Sequence, residues 1–296
     1  MLSLSVLPLC TARKMKHRYN ENAEQGCATR IGGVRGVEFS LGGDMRIDSN
    51  ASKALIAAVS GPGDNEAAVR RALSKGASPD YLVSGETALM IAARLGHAKC
   101  MQALLEAGAN ADAEARSMTA LMKAVANDNL GCVRLLLDAG ANINAANAAG
   151  VTALMVAARN GATASLRALL DTGAALDAST REGWTAATYA AWEGIVPSLK
   201  LLIDAGANIN AASMRGWTPL FAAVYGGAAE SMRLLIQAGA DLQKRDSENH
   251  SAYDIAVANG KYEFASALKG GKAKKHAEHA DDDSAPAIAA FKAKIS

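Results

Sequence analysis

Aromatic residues are scarce in this sequence: they make up 4% of it, although half of the residues are apolar. A core built mainly from Ala and Leu suits closely packed helix pairs. Charge of one sign is lacking as well, since 31 Lys and Arg stand against 29 Asp and Glu, for a net charge of +2. Charge alone therefore gives no pull towards nucleic acid or a membrane surface. No apolar run reaches the roughly 18 residues that a membrane helix needs. The four Cys do not make a disulfide framework, and reduced thiols fit a cytoplasmic or nuclear home. There is no G-x-x-x-x-G-K-[ST] loop, no G-x-G-x-x-G opening a helix after a strand and no C-x-x-C pair. No Ser, His and Asp can be argued into a triad. The expectation is a protein that is not an enzyme and holds no cofactor or metal.

What the sequence does have is a period. Thr152, Thr185 and Thr218 stand 33 residues apart, and Gly173-Ala174, Gly206-Ala207 and Gly239-Ala240 each follow their Thr by 21 residues. Thr87 and Thr119 extend the lattice upstream, with Gly108-Ala109 and Gly140-Ala141, and Ser251 extends it downstream. A repeat of this length means units too small to bury an apolar face alone, so they must stack. Five full units, beginning at Thr87, Thr119, Thr152, Thr185 and Thr218, lie between an N-terminal and a C-terminal cap. Each Thr is placed to cap a first helix, and Ala92, Ala124, Ala157, Ala190 and Ala223 let helices approach. The second helices carry Leu104-Leu105, Leu136-Leu137, Leu169-Leu170, Leu202-Ile203 and Leu235-Ile236.

These residues resemble the ankyrin repeat. Gly216-Trp217-Thr218-Pro219-Leu220-Phe221-Ala222-Ala223 is the nearest match to the family's Gly-x-Thr-Pro-Leu-His-x-Ala, and Gly206-Ala207-Asn208-Ile209-Asn210 matches its later half. The resemblance covers about 52–270. It implies an all-α fold, an ankyrin-repeat solenoid of stacked helix pairs with β-turn or hairpin loops. The motif Pro is Ala at 88, 120, 153 and 186. The motif His is replaced by Met90, Met122, Met155, Thr188, Phe221 and Asp254. In the family that His bridges neighbouring turns, so its loss predicts more apolar coupling here. The Gly expected after the first helix is Asp128 in the second unit.

Residues 1–50 lie off the lattice and read as a mostly disordered N-terminal extension. Leu2 to Leu9 is apolar, but Arg13, Lys14, Lys16 and Arg18 come after it, the wrong order for a secretory signal. A disordered tail, or translation starting at Met15, is expected rather than a mitochondrial transit peptide. Val37 to Leu41 alternates and reads as a short strand or a clamp on the first repeat. Residues 51–270 form the repeat domain, in whose first cap Asp64 or Asn65 caps the second helix. Residues 271–296 read as a disordered charged tail, with Ile288, Phe291 and Ile295 at helical spacing. His276 and His279 lie near Asp281, Asp282 and Asp283, but a flexible tail does not hold ligands at the fixed geometry a metal site requires. His97 reads as structural. Cys100 and Cys132, followed by Ser165, Ser198 and Ser231, form a column of small residues between helices.

The family's partners bind a concave surface of turn tips and first helices. The tip position before each Thr is Glu86, Met118, Val151, Trp184 and Trp217, with His250 before the closing Ser251. All three Trp fall in the fourth and fifth units (179–244), at positions expected to be exposed. Trp184, Trp192, Trp217 and Tyr225, with Arg181, Met214, Arg215 and Arg159, are the expected partner-binding residues, since Trp, Tyr and Arg most often carry interface energy. The competing reading is that Trp184 and Trp217 stiffen the solenoid by stacking on neighbouring turns. The expected function is a protein-binding scaffold or adaptor, monomeric, with another protein as partner, no direct contact with nucleic acid and no membrane span. A second expectation is a regulatory or targeting subunit that uses the tails as well.

Overall fold

The computed structural model describes residues 49–270. The N-terminal extension, the Val37–Leu41 segment and the charged tail lie outside the described residues, except that Ser49 and Asn50 already belong to the first helix. Among the described residues fourteen helices follow one another in seven pairs, with one short hairpin, so the fold is the all-α solenoid that the resemblance implies. The pairs are α1 (Ser49–Ser60) with α2 (Glu66–Ser74), α3 (Ala88–Leu95) with α4 (Ala98–Glu106), α5 (Ala120–Ala126) with α6 (Leu130–Asp138), and α7 (Ala153–Asn160) with α8 (Thr163–Asp171). They continue with α9 (Ala186–Glu193) and α10 (Val196–Asp204), α11 (Pro219–Gly226) and α12 (Ala229–Gln237), and α13 (Ala252–Ala258) and α14 (Tyr262–Gly270). The hairpin pairs β1 (Glu114–Ala115) with β2 (Met118–Thr119), with Glu114 opposite Thr119 and Ala115 opposite Met118.

First helices start as their sequence demands. The hydroxyls of Thr87, Thr119, Thr152 and Thr185 accept from the amides of Met90, Met122, Met155 and Thr188 at 3.3–3.5 Å. Thr218 makes no such bond. Pro219 follows it, and the fixed φ of a Pro at the first helical position already favours the helix. Met90, Met122, Met155, Thr188 and Phe221, which occupy the motif His position, are all buried. Coupling through that column is mainly van der Waals packing.

Polar bonds between units lie elsewhere. Asp80, Asp112, Asn144, Asp177 and Asn210 each accept, through a side-chain oxygen, the amide of the residue two after the next unit's Gly: Asn110, Asn142, Ala175, Asn208 and Asp241, at 2.7–2.9 Å. Second helices are capped across the same boundary in two places. Asn65 caps α2 by accepting from Ala68, whereas Asp64, one of the two residues expected to do so, accepts instead from Lys99 and Cys100 at the start of α4. Partial burial works against the Asp64 charge, but these two amides outweigh it and hold its carboxyl below the usual range. Asp128 repeats the device on Ser165, accepting from its amide at 3.0 Å and its hydroxyl at 2.6 Å. It does so from a left-handed backbone (φ 52°), where the other units use Gly. His97 is structural: its Nδ1 lies 3.0 Å from the Val59 carbonyl. The Cys100 and Cys132 thiols are buried, and burial first of all pushes them to about 12 and about 11, so they stay protonated at neutral pH.

The turn tips divide the stack in two. The interval from Thr87 to Thr119 is 32 residues, one short of the others. At the first two tips, Ser84-Gly85 and Arg116-Ser117 occupy positive φ in pairs, the pattern of two-residue hairpin turns. From the third unit onward the tips are one residue longer and bond to one another. Arg181 donates its amide to Ala149, Met214 to Glu182, and Ser247 to Arg215, all at 2.9 Å. Gly183 makes this closeness possible, because a Cβ there would lie 2.8 Å from the Cα of Ser213.

Candidate functional site

Three columns of side chains make the face formed by tips and first helices: the residue before each capping Thr, and the fourth and seventh residues after it. In units 4 and 5 these columns supply Trp184, Tyr189, Trp192, Trp217 and Tyr225. They form one continuous set of ring contacts. Trp184 meets Tyr189 at 5.2 Å and Trp192 at 5.3 Å between centroids, the second edge-on. Trp192 then stacks on Tyr225 at 5.3 Å and 17°, and Trp217 meets Tyr225 at 5.1 Å. These are the separations at which aromatic pairs attract beyond their buried area.

The expected exposure of all three Trp is corrected by this arrangement. Trp184 is buried, at 9% exposure, because Tyr189 and Trp192 of its own unit close over it. Its backbone is held as firmly: its amide donates to the Thr180 hydroxyl, and its carbonyl accepts from the Thr180 amide. Trp192, Trp217 and Tyr225 are half-buried. Trp217 stays more open than Trp184 because its unit has Ala222 where unit 4 has Tyr189. Tyr189 was absent from the sequence expectation, although its place four residues after Thr185 put it on the same face. Burial first of all raises its phenol above the ordinary range, so it presents a neutral hydroxyl.

Two neighbours hold this cluster in place. Lys261, from the closing pair, donates to the Val224 and Tyr225 carbonyls at 2.7 Å each, fixing the end of α11. Gly226 lets α11 approach α9, since a Cβ at Gly226 would lie 2.3 Å from the Trp192 carbonyl oxygen. Arg181, Met214 and Arg215 lie on the bonded tips beside the aromatic rings, with Met214 80% exposed. Arg159, on α7, acts on the Tyr189 hydroxyl through its charge. The eight expected residues thus share one face, but Trp184 is a support beneath it.

At the other end the same columns hold charge. Lys123 is only 7% exposed and pairs with Glu86 at 2.7 Å, while Arg94 approaches the other Glu86 oxygen at 3.7 Å. Desolvation opposes the Glu86 charge, but Lys123 first, then Arg94 and Arg116, hold its carboxyl below the ordinary value of 4.5. A carboxylate with a depressed folded pKa stabilises the fold above its unfolded value, and that contribution disappears as pH falls through the folded value. Wild type is therefore expected to exceed Glu86→Gln in urea midpoint at pH 7, with the difference closing as the pH falls below the ordinary carboxylate value of 4.5. A gap that persists unchanged into acid would show that the ion pair is not its source.

Among the described residues no group of His, Cys, Asp and Glu is arranged to hold a metal ion, and no helix is long and apolar enough to cross a membrane. A family model described as ankyrin repeats in three copies matches residues 28–115, 55–147, 122–213 and 199–279. No curated protein matches the chain.

Proposed function

The chain belongs to the ankyrin repeat family, and from that premise we propose a non-catalytic scaffold or adaptor that binds a partner protein on the tip-and-first-helix face of units 4 and 5. Ankyrin repeats are in general protein–protein interaction modules, and the family is typically non-enzymatic. The observation that carries the reading is the half-open aromatic cluster of Trp192, Trp217 and Tyr225, rimmed by Met214 and Arg215. Rings already locked by stacking lose little side-chain entropy when a partner covers them, which favours them as anchors. Trp184 and Tyr189 support these anchors from below. In this reading the protein acts as a monomer in the cytoplasm or nucleus, where the buried Cys100 and Cys132 stay reduced.

The test is an affinity pull-down from native cell extract with the full chain, wild type beside Trp217→Ala and Met214→Ala, read by mass spectrometry. A partner lost from Trp217→Ala is then titrated against both proteins. Trp217→Ala is expected to weaken it by about 2 kcal/mol or more while circular dichroism stays unchanged. Equal affinity for every recovered partner would remove units 4 and 5 as the binding face.

A further inference from the structure

The charged end of the face is out of balance. Glu86 is the one carboxylate within ion-pair distance of Lys123 and Arg94 among the described residues, and Arg116 has no carboxylate partner there at all. All three cations act on Glu86, and with Glu114 of β1 included this end sets three positive charges (Arg94, Arg116 and Lys123) against two negative ones. Lys123 is the feature that makes this end deliberate in form. Its column otherwise carries Ile91, Val156, Tyr189, Ala222 and Ile255, so a buried ammonium stands where the face elsewhere is apolar or aromatic. Between this end and the Trp192 cluster the floor is built from Met118, Val151 and Val156, with one cation, Arg159, in the column of Trp192.

We propose that the partner segment on this face is acidic and extended. Its carboxylates seat on Arg94 and Arg116 beside the Lys123–Glu86 pair, and a large apolar or aromatic side chain further along covers Trp192, Trp217 and Tyr225. The proposal rests on the reading that units 4 and 5 bind a protein, and it adds the chemistry of that protein. Packed helices lie about 8–10 Å apart, so the two or three units between the ends span about 20–30 Å. An extended chain covers that length in about six to nine residues. Charge complementarity decides the sign, because a basic segment would meet uncompensated cations. The class follows from the reading of units 4 and 5 as a protein-binding face, and a net charge of +2 over the chain gives no general pull on a nucleic-acid backbone.

The test begins with selection from a displayed library of random 16-residue peptides on the full-length protein. Enriched peptides are expected to carry Asp or Glu separated from a large apolar residue by about six to nine positions. Synthesised with a fluorophore, such a peptide is expected to bind Arg94→Glu/Arg116→Glu about tenfold more weakly or worse, and to lose affinity with added salt. Arg94→Gln/Arg116→Gln serves if charge reversal disturbs the hairpin, and a smaller loss in the same direction is expected. Neutral or basic peptides, no enriched peptide, unchanged affinity in both double variants, or tighter binding of a 15-nucleotide oligo(dT) than of any peptide would overturn the proposal. Peptides without acidic character that are nonetheless lost with Trp217→Ala would sink this proposal alone. Acidic peptides indifferent to Trp217→Ala would sink the reading of units 4 and 5, and with it the proposal that rests on it.

Discussion

Truncating Trp184 to Ala is expected to lower stability by about 3–5 kcal/mol, more than any other single change on the aromatic face. The indole is buried, and its two ring neighbours, Tyr189 and Trp192, belong to the same unit. Removing it leaves a cavity lined by those rings and takes away the edge contact that sets Trp192. The backbone around it cannot collapse inward, because Thr180 holds residue 184 at both its amide and its carbonyl. Trp217→Ala is the control: that ring is half-exposed beside Ala222 and is expected to cost about 1–2 kcal/mol. Urea unfolding followed by circular dichroism makes the comparison, with midpoints preferred to one extrapolated energy because stacked units need not unfold in one step. Equal losses from the two variants would show that Trp184 is not the buried support described above. Trp184 is for the same reason the wrong residue with which to probe binding.

The second large effect is one of sign. A Gly in a helix usually gains about 0.5–1 kcal/mol when changed to Ala, since Ala gives up less backbone freedom on folding. Gly131, at the start of α6, follows that rule, since its added Cβ would meet only the Ala98 methyl, at 3.8 Å. Gly226, the last residue of α11, is expected to reverse it. Its added Cβ would lie 2.3 Å from the Trp192 carbonyl oxygen, and that atom is backbone, so no side-chain rotation relieves the clash. α11 would have to move away from α9, at a cost of about 1–3 kcal/mol. Because Trp192 and Tyr225 ride on these two helices, their stacking would loosen as well. Thermal unfolding of both Gly→Ala variants, with Trp fluorescence recorded alongside, tests the reversal. A Gly226→Ala protein as stable as wild type would refute the close approach.

The helix pairs were legible in the sequence because their signals are local and recur: a capping Thr, paired aliphatics and a closing Gly-Ala in every unit. Grouping Trp184, Trp192, Trp217 and Tyr225 on one face needed only that lattice. Their burial was not legible, since it depends on which ring lies across from which. Trp184 and Trp217 occupy the same repeat position and differ because Tyr189 stands over one and Ala222 beside the other. Asp64 misled for a similar reason. A carboxylate just before a helix reads as that helix's cap, and only the stacking of the next pair offers it the amides of Lys99 and Cys100. Lys123 was overlooked because a Lys in a helix ordinarily faces water, and its partner Glu86 lies 37 residues away.

Each of the first four full units offers its neighbours the same handshake: a side-chain oxygen held out to the unit after it and a backbone amide held out to the unit before. Asn144 could as readily receive the amide of Asn208 as that of Ala175. A gene encoding such units can therefore lengthen or shorten by whole multiples of the period without inventing a new contact. Order is imposed by what is not shared, namely Asp64 reaching α4, Asp128 reaching Ser165, and Gly226 making room for Trp192. Those three private fittings each belong to one boundary, and they set the units on either side of it apart from the rest of the series.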